Sequence, residues 1–173
     1  EAREKTDKLA LSLMDLGIKP KDRVLLQLPN WHEFVFAFFS LQKIGAITVL
    51  LIDRYRQFEI NHLINISGAN AWIVPPKYRK TDYMPIIEDV LKEQPEMEHV
   101  ITVRGEVNRP GFSSLEKLID RGELTDENLE RLADARPDPM QIAHMGPTGG
   151  TTGLPKIVGR SHNSLVTGIE YCS

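Results

Sequence analysis

Residues 146 to 156 read GPTGGTTGLPK. Four glycines, three threonines, two prolines and one lysine within eleven positions cannot make a regular helix or strand, so the stretch is an exposed loop. Its residue types suit an anion. Glycine admits left-handed backbone conformations and the close approach of a ligand, so Gly149, Gly150 and Gly153 can turn successive N–H groups toward one point. Thr148, Thr151 and Thr152 add hydroxyl donors, and Lys156 adds a compact positive charge at the far end, which together is the chemistry a polyphosphate needs. On composition alone, a plain surface turn is the competing reading.

Two common phosphate-binding patterns do not fit. A Walker A loop has Gly immediately before its Lys and Ser or Thr after it, whereas Pro155 precedes Lys156 and Ile157 follows it. The dinucleotide fingerprint Gly-x-Gly-x-x-Gly is not supplied by Gly149-Gly150-x-x-Gly153. The run Thr148-Gly149-Gly150-Thr151-Thr152-Gly153-Leu154-Pro155-Lys156, with His162 a few residues on, resembles instead the phosphate-binding core motif of the adenylate-forming superfamily, which includes acyl-CoA and aryl-CoA synthetases, luciferase and adenylating enzymes of assembly lines. The usual form is Thr-Ser-Gly-Ser/Thr-Thr-Gly-x-Pro-Lys-Gly. Gly149 stands where Ser is usual and Ile157 where Gly is usual. Both departures, and the run Ile157-Val158-Gly159-Arg160-Ser161-His162, resemble the branch of 2,3-dihydroxybenzoate-AMP ligases, which implies an aryl acid.

The resemblance implies that a carboxylic acid attacks the α-phosphate of MgATP, giving an acyl-adenylate and pyrophosphate, and that a thiol of coenzyme A or of a carrier-protein pantetheine captures the adenylate. It assigns the phosphates to Thr148, Gly149, Gly150, Thr151, Thr152, Gly153 and Lys156. For His162 it leaves two roles open, contact with the phosphates or capping of a helix. The motifs for adenine, ribose and Mg²⁺, the acid pocket and the mobile domain with the main catalytic lysine follow the phosphate loop in this family. Residues 1–173 are therefore expected to be an incomplete N-terminal subdomain of the large domain, a fragment that does not turn over by itself and that supplies no metal ligand.

The rest of the chain must position the loop. A length of 173 residues is enough for one domain with a core. A net charge of −3 with interspersed signs leaves no basic field for nucleic acid. The single cysteine, Cys172, permits no internal disulfide, suits a reducing cytoplasmic compartment and reads as a small buried residue. The opening residues do not resemble a signal peptide, and Glu1 falls within helical periodicity, so further sequence is expected before it.

Thr6, Leu9, Ala10, Leu13 and Leu16 recur at helical spacing, with Gly17 placed to cap the end. Residues 24 to 28 form an apolar strand of the parallel, buried kind. Asn30 and Glu33 read as a capping box for a helix over 31 to 44, apolar nearly all round, too short for a bilayer and expected to be buried on two sides. Trp31 and its Phe cluster are core or the lining of an aryl pocket. A strand over 46 to 52 ends in Asp53-Arg54-Tyr55-Arg56, where the two arginines are anion contacts or part of a solvated turn. A helix over 57 to 67 follows, its His62 read as solvated or capping, then a strand over 71 to 74, a loop over 77 to 83, a helix around Ile86 to Leu91 and a strand over 99 to 103.

Strand and helix thus alternate four times with short connections, which predicts an α/β fold: a layered, mostly parallel sheet flanked by helices. Residues 104 to 139 read as a surface excursion with two short helices. Residues 140 to 145 are the strand that delivers the loop, 157 to 160 return as a strand, and Ser161 or Asn163 caps a last helix. Three functions stand: an aryl-acid adenylating ligase first, a fatty or other acyl-CoA synthetase second, and a non-catalytic nucleotide-binding or assembly module third. None of them calls for nucleic acid or a membrane span.

Overall fold

The computed structural model describes residues 1–149 and 154–172, without the side chains of Ile169 and Cys172. In chain order the elements are α1 (Ala2–Leu16), β1 (Arg23–Leu26), α2 (His32–Lys43), β2 (Ile47–Leu50), α3 (Gln57–Ser67), β3 (Ala71–Val74), β4 (Lys77–Tyr78) and β5 (Thr81–Asp82). There follow α4 (Met84–Glu93), β6 (His99–Thr102), β7 (Phe112–Ser114), α5 (Leu115–Arg121), α6 (Asp126–Asp134), β8 (Ile142–Pro147), β9 (Ile157–Ser161) and α7 (His162–Cys172). Seven strands make one sheet in the order β7-β6-β3-β1-β2-β8-β9, parallel throughout except for the β8–β9 pair.

The sheet is covered on both faces, and the alternation within each strand shows why. Val24 and Leu26 of β1, with Ala71 and Ile73 of β3, pack into one core beneath α1, α2 and α5. Leu25, Trp72 and Val74 point the other way, into a second core with Ile60, Leu63 and Ile64 of α3 and Ile87 and Val90 of α4. A strand buried on both faces needs no polar side, hence the continuous apolar runs. The chain steps from β1 to β2 with α2 on one face, then back across β1 to β3 with α3 on the other, as crossovers of a single hand require.

Four local expectations change. The segment 77 to 83 is not plain loop: β4 and β5 form an antiparallel hairpin pairing Lys77 with Asp82 and Tyr78 with Thr81. The excursion 104 to 139 adds an edge strand, since β7 pairs parallel to β6 before Ser114 caps α5 by accepting from the Lys117 amide. Asn30 and Glu33 form no capping box. Trp31 is the N-cap residue, without a side-chain cap, and the Glu33 carboxylate is drawn to Arg104 instead. Helix α2 is covered on two sides, by α1 and by the sheet, but Val35 and Phe39, one turn apart, remain 44% and 53% exposed. Gly17 does cap α1 in the left-handed conformation, at φ 106°. The burial expected of Cys172 lies outside the described side chains.

Candidate phosphate-binding site

Strand β8 lies between β2, to which it is parallel, and β9, to which it is antiparallel; it takes in Gly146 and Pro147, expected in the loop, because both pair with β9, and it ends at the same edge as the carboxyl ends of β1 and β2. Ligands of open α/β sheets bind outside that edge, where neighbouring connections part to opposite faces. Here they part between β1, whose connection leads to α2, and β2, whose connection leads to α3.

The stem of the loop is closed by hydrogen bonds that continue the hairpin past its last pair, Pro147 and Ile157. The Thr148 amide donates to the Lys156 carbonyl at 2.8 Å, and the Lys156 amide donates to Thr148 Oγ1 at 3.3 Å. A third bond comes from another element: His62 of α3 meets the Pro155 carbonyl through Nε2 at 2.9 Å. The structure therefore brings Thr148 and Lys156 together, with Gly149 next in the chain after Thr148. Gly149 lies outside the left-handed region, and a Cβ there meets no described atom within 4 Å, so glycine is not required at this position by the described surroundings. The Lys156 side chain is exposed and makes no ion pair among the described residues. Gly150, Thr151, Thr152 and Gly153 lie outside the described residues.

The structure does not bring His162 to the loop. It begins α7, beyond the far end of β9, where Ser161 pairs with Ile142. Five strand residues separate it from Lys156, about 20 Å of extended chain from Cα to Cα. Its amide donates to the Gln141 carbonyl at 3.2 Å. Burial pushes its imidazole below the usual range, and its buried Nε2 has no hydrogen-bond partner among the described residues. The cap of α7 is Ser161, whose Oγ accepts from the Ser164 amide at 3.2 Å. His162 thus belongs to a separate cleft of about 610 Å³ with Asp7, Gln42 and Lys43.

Beside the loop stem lies a larger cleft of about 810 Å³, walled by Trp31 and Phe34 on one side, Ile52 and Asp53 on another, Tyr78 and Arg79 of the hairpin, and Gly146 and Pro147 of β8. Its aromatic wall is built from behind. Arg104 is gripped through two nitrogens by Glu33, at 2.8 and 3.0 Å, and its guanidinium lies 4.0 Å from the Trp31 ring centroid. Trp31 in turn meets Tyr78 edge to face at 5.3 Å. Burial alone would raise the Glu33 carboxyl, but the hydrogen bonds from Arg104 and the backbone, with the charges of His32 and Arg104, outweigh it and hold the carboxyl below its usual range. Of the two arginines after β2, Arg56 is engaged with the Asp53 and Tyr55 carbonyls and Thr81 Oγ1, whereas Arg54 is exposed. Among the described residues, no group of three or more His, Cys, Asp or Glu is placed to hold a metal ion, and no helix is long and apolar enough to cross a membrane.

A doubly covered, mostly parallel sheet with a closed hairpin stem and a lysine at its carboxyl edge defines an open-sheet α/β protein of the kind that binds ligands at that edge. The chain matches the family described as AMP-binding enzyme over residues 1–173 and belongs to it. It is 34% identical over 170 residues to 2-hydroxy-7-methoxy-5-methyl-1-naphthoate–CoA ligase of Streptomyces carzinostaticus, covering 95% of this chain and 30% of that one. It is 31% identical over 176 residues to 2,3-dihydroxybenzoate-AMP ligase of Bacillus subtilis, covering 99% of this chain and 30% of the relative. The apo structure of Mycobacterium smegmatis MbtA superposes with a TM-score of 0.80 at 31% identity, over 96% of this chain and 29% of the other. The chain thus spans about three-tenths of the length of the relatives it matches. Membership of the adenylate-forming enzymes and the mostly parallel α/β fold are both as the motif implied.

The residue that sequence reasoning missed is His62. Read as solvated or capping, it holds the exit of the loop from 93 positions away. No local pattern on α3 marks it, because its partner is a backbone carbonyl whose identity leaves no trace.

Proposed function

We propose that this chain is the phosphate-binding part of an ATP-dependent ligase that activates an aryl carboxylic acid as its acyl-adenylate, with release of pyrophosphate, for transfer to a thiol of coenzyme A or of a carrier-protein pantetheine in the cytoplasm. The observation that carries the reading is the closed stem, which fixes Thr148 and Lys156 at the carboxyl edge of the sheet with the lysine ammonium unpaired among the described residues. The branch rests on the two relatives, both named as ligases of aromatic acids.

The residues suit the task. Attack of the acid on the α-phosphorus breaks the bond to the β-phosphate oxygen, so charge accumulates on the departing pyrophosphate. Donors at Thr148, Gly149, Gly150, Thr151, Thr152, Gly153 and Lys156 would stabilise that charge in the transition state. Mg²⁺ would accompany the nucleotide, bound largely through its phosphates. The scheme leaves out His162, and its place next to Ser161 at the opposite end of the hairpin supports that choice.

The test is carboxylate-dependent ATP–pyrophosphate exchange by the whole protein containing this chain, with hydroxybenzoates and fatty acids compared side by side. Exchange with a hydroxybenzoate is expected. Exchange with fatty acids alone would replace the aryl assignment by an acyl-CoA synthetase, and exchange with no acid would leave a nucleotide-binding module.

A further inference from the structure

We infer that His62 is a positioning residue that sets the direction of Lys156, an inference that rests on the phosphate-binding reading of the loop. The peptide group joining Pro155 to Lys156 is held at both of its polar ends. Its carbonyl meets His62 Nε2 at 2.9 Å, and its amide donates to Thr148 Oγ1 at 3.3 Å. Because a carbonyl only accepts, Nε2 carries the proton and donates. One peptide plane is thereby clamped between α3 and the end of β8, and the Cα of Lys156 hangs from that plane.

The clamp is anchored well on the α3 side. Ile60, Leu63 and Ile64 of the same helix sit in the second core, and Gln57 and Asn61 each donate to the Glu93 carboxylate of α4 at 2.7 Å. The loop side is anchored through the hairpin stem, where Thr148 closes on Lys156 and Pro147 pairs with Ile157. Leu154 is 46% exposed and Lys156 is exposed, so burial does not hold this arm, and Pro155 brings no N–H of its own. Hydrogen bonds to its backbone are what the described structure provides. Without His62, Lys156 keeps its two bonds to Thr148, but the peptide plane before it loses the restraint on its carbonyl end, and the lysine is aimed less narrowly.

The test compares His62→Ala, His62→Gln, Lys156→Ala and the double variant His62→Ala/Lys156→Ala in the whole protein, by ATP–pyrophosphate exchange with ATP and acid varied separately. His62→Ala is expected to lower kcat at least about fivefold while leaving the KM of the acid unchanged. His62→Gln, which keeps an N–H donor, recovers most of the loss. The double variant is no slower than Lys156→Ala alone, because a residue that acts through the lysine has nothing left to position. If His62→Ala fails to fold, His62→Phe, which keeps the ring and removes the donor, takes its place. Wild-type kcat in the donor-less variant, or losses that multiply in the double variant, would overturn the positioning role while Lys156→Ala remained impaired. Wild-type exchange by Lys156→Ala would refute the phosphate-binding reading itself, and this inference with it.

Discussion

Truncation of Lys156 separates chemistry from folding more cleanly than any other change at the loop. Its ammonium is exposed and has no carboxylate partner among the described residues, so Lys156→Ala strands no buried charge. Its amide and carbonyl, which close the stem with Thr148, survive the substitution. Stability should therefore change by no more than about 0.5 kcal/mol, which for a domain of this size moves Tm by about 1–2 °C. The rate should respond far more. A charge-assisted hydrogen bond contributes about 1.5–3 kcal/mol, and at about 1.4 kcal/mol per decade its loss from the transition state slows adenylation by about 10- to 150-fold. If the bond forms only as charge leaves toward pyrophosphate, kcat and kcat/KM for ATP fall together. The assay is exchange kinetics over a range of ATP concentrations, with thermal unfolding measured on the same samples. Exchange within about twofold of wild type would refute the argument, as would a loss of rate accompanied by a drop in Tm of many degrees.

Two further perturbations test the scaffold that presents the loop. A Cβ at Gly122 would lie 2.4 Å from the Lys8 carbonyl oxygen and 2.7 Å from the Lys8 Cα, both backbone atoms of α1 that cannot swing aside. Gly122→Ala is expected to destabilise by about 1–3 kcal/mol through overpacking, read as a lower denaturant midpoint at unchanged m-value; an unchanged midpoint would show that α5 and α1 part without cost. For Glu33 the folded carboxyl titrates below its usual range, so the folded state binds fewer protons than the unfolded one across the interval between the two values. Its contribution is complete above the unfolded value of about 4.3 and is lost as pH falls through the lower folded value. The stability difference between wild type and Glu33→Gln should accordingly narrow on acidification below about pH 4, and a difference constant from pH 7 down to pH 2 would count against the Arg104 contact as its source.

How much of this was legible in the sequence depended on how far away each residue's partner lies. Helix α3 was read with its observed ends because the apolar spacing and Gly68 are local, and β3 because Ala71 to Val74 is an unbroken apolar run stopped by prolines. Glu33 was misread for the opposite reason. Its spacing from Asn30 satisfies a local rule, yet a guanidinium 71 positions away offers two bonds where a cap offers one. Strands of two or three residues, such as β4, β5 and the polar β7, are too short to display a period and take their form from the neighbour they pair with. His162 is the instructive case: the strand over 157 to 160 carries whatever follows it away from Lys156, so the place of a histidine beyond that strand is set by the strand and not by its short spacing from the motif.

The returning strand also decides where the positive charge of the site must come from. In phosphate sites built on a strand, a glycine-rich turn and a helix, the helix N-terminus supplies free amides and the positive end of a dipole. Here the segment after Lys156 is β9, which runs back antiparallel to β8, and α7 starts only at the opposite end of the hairpin. No helix dipole follows the loop to share the work, and strand dipoles largely cancel. Among the described residues, the formal positive charge that the loop itself brings to the carboxyl edge is the ammonium of Lys156, with Arg54 and Arg79 elsewhere along that edge. On the proposed phosphate-binding reading, the contribution of Lys156 depends on the aim of its side chain, and the peptide group immediately before it is held by His62 from α3 and by Thr148 at the end of β8.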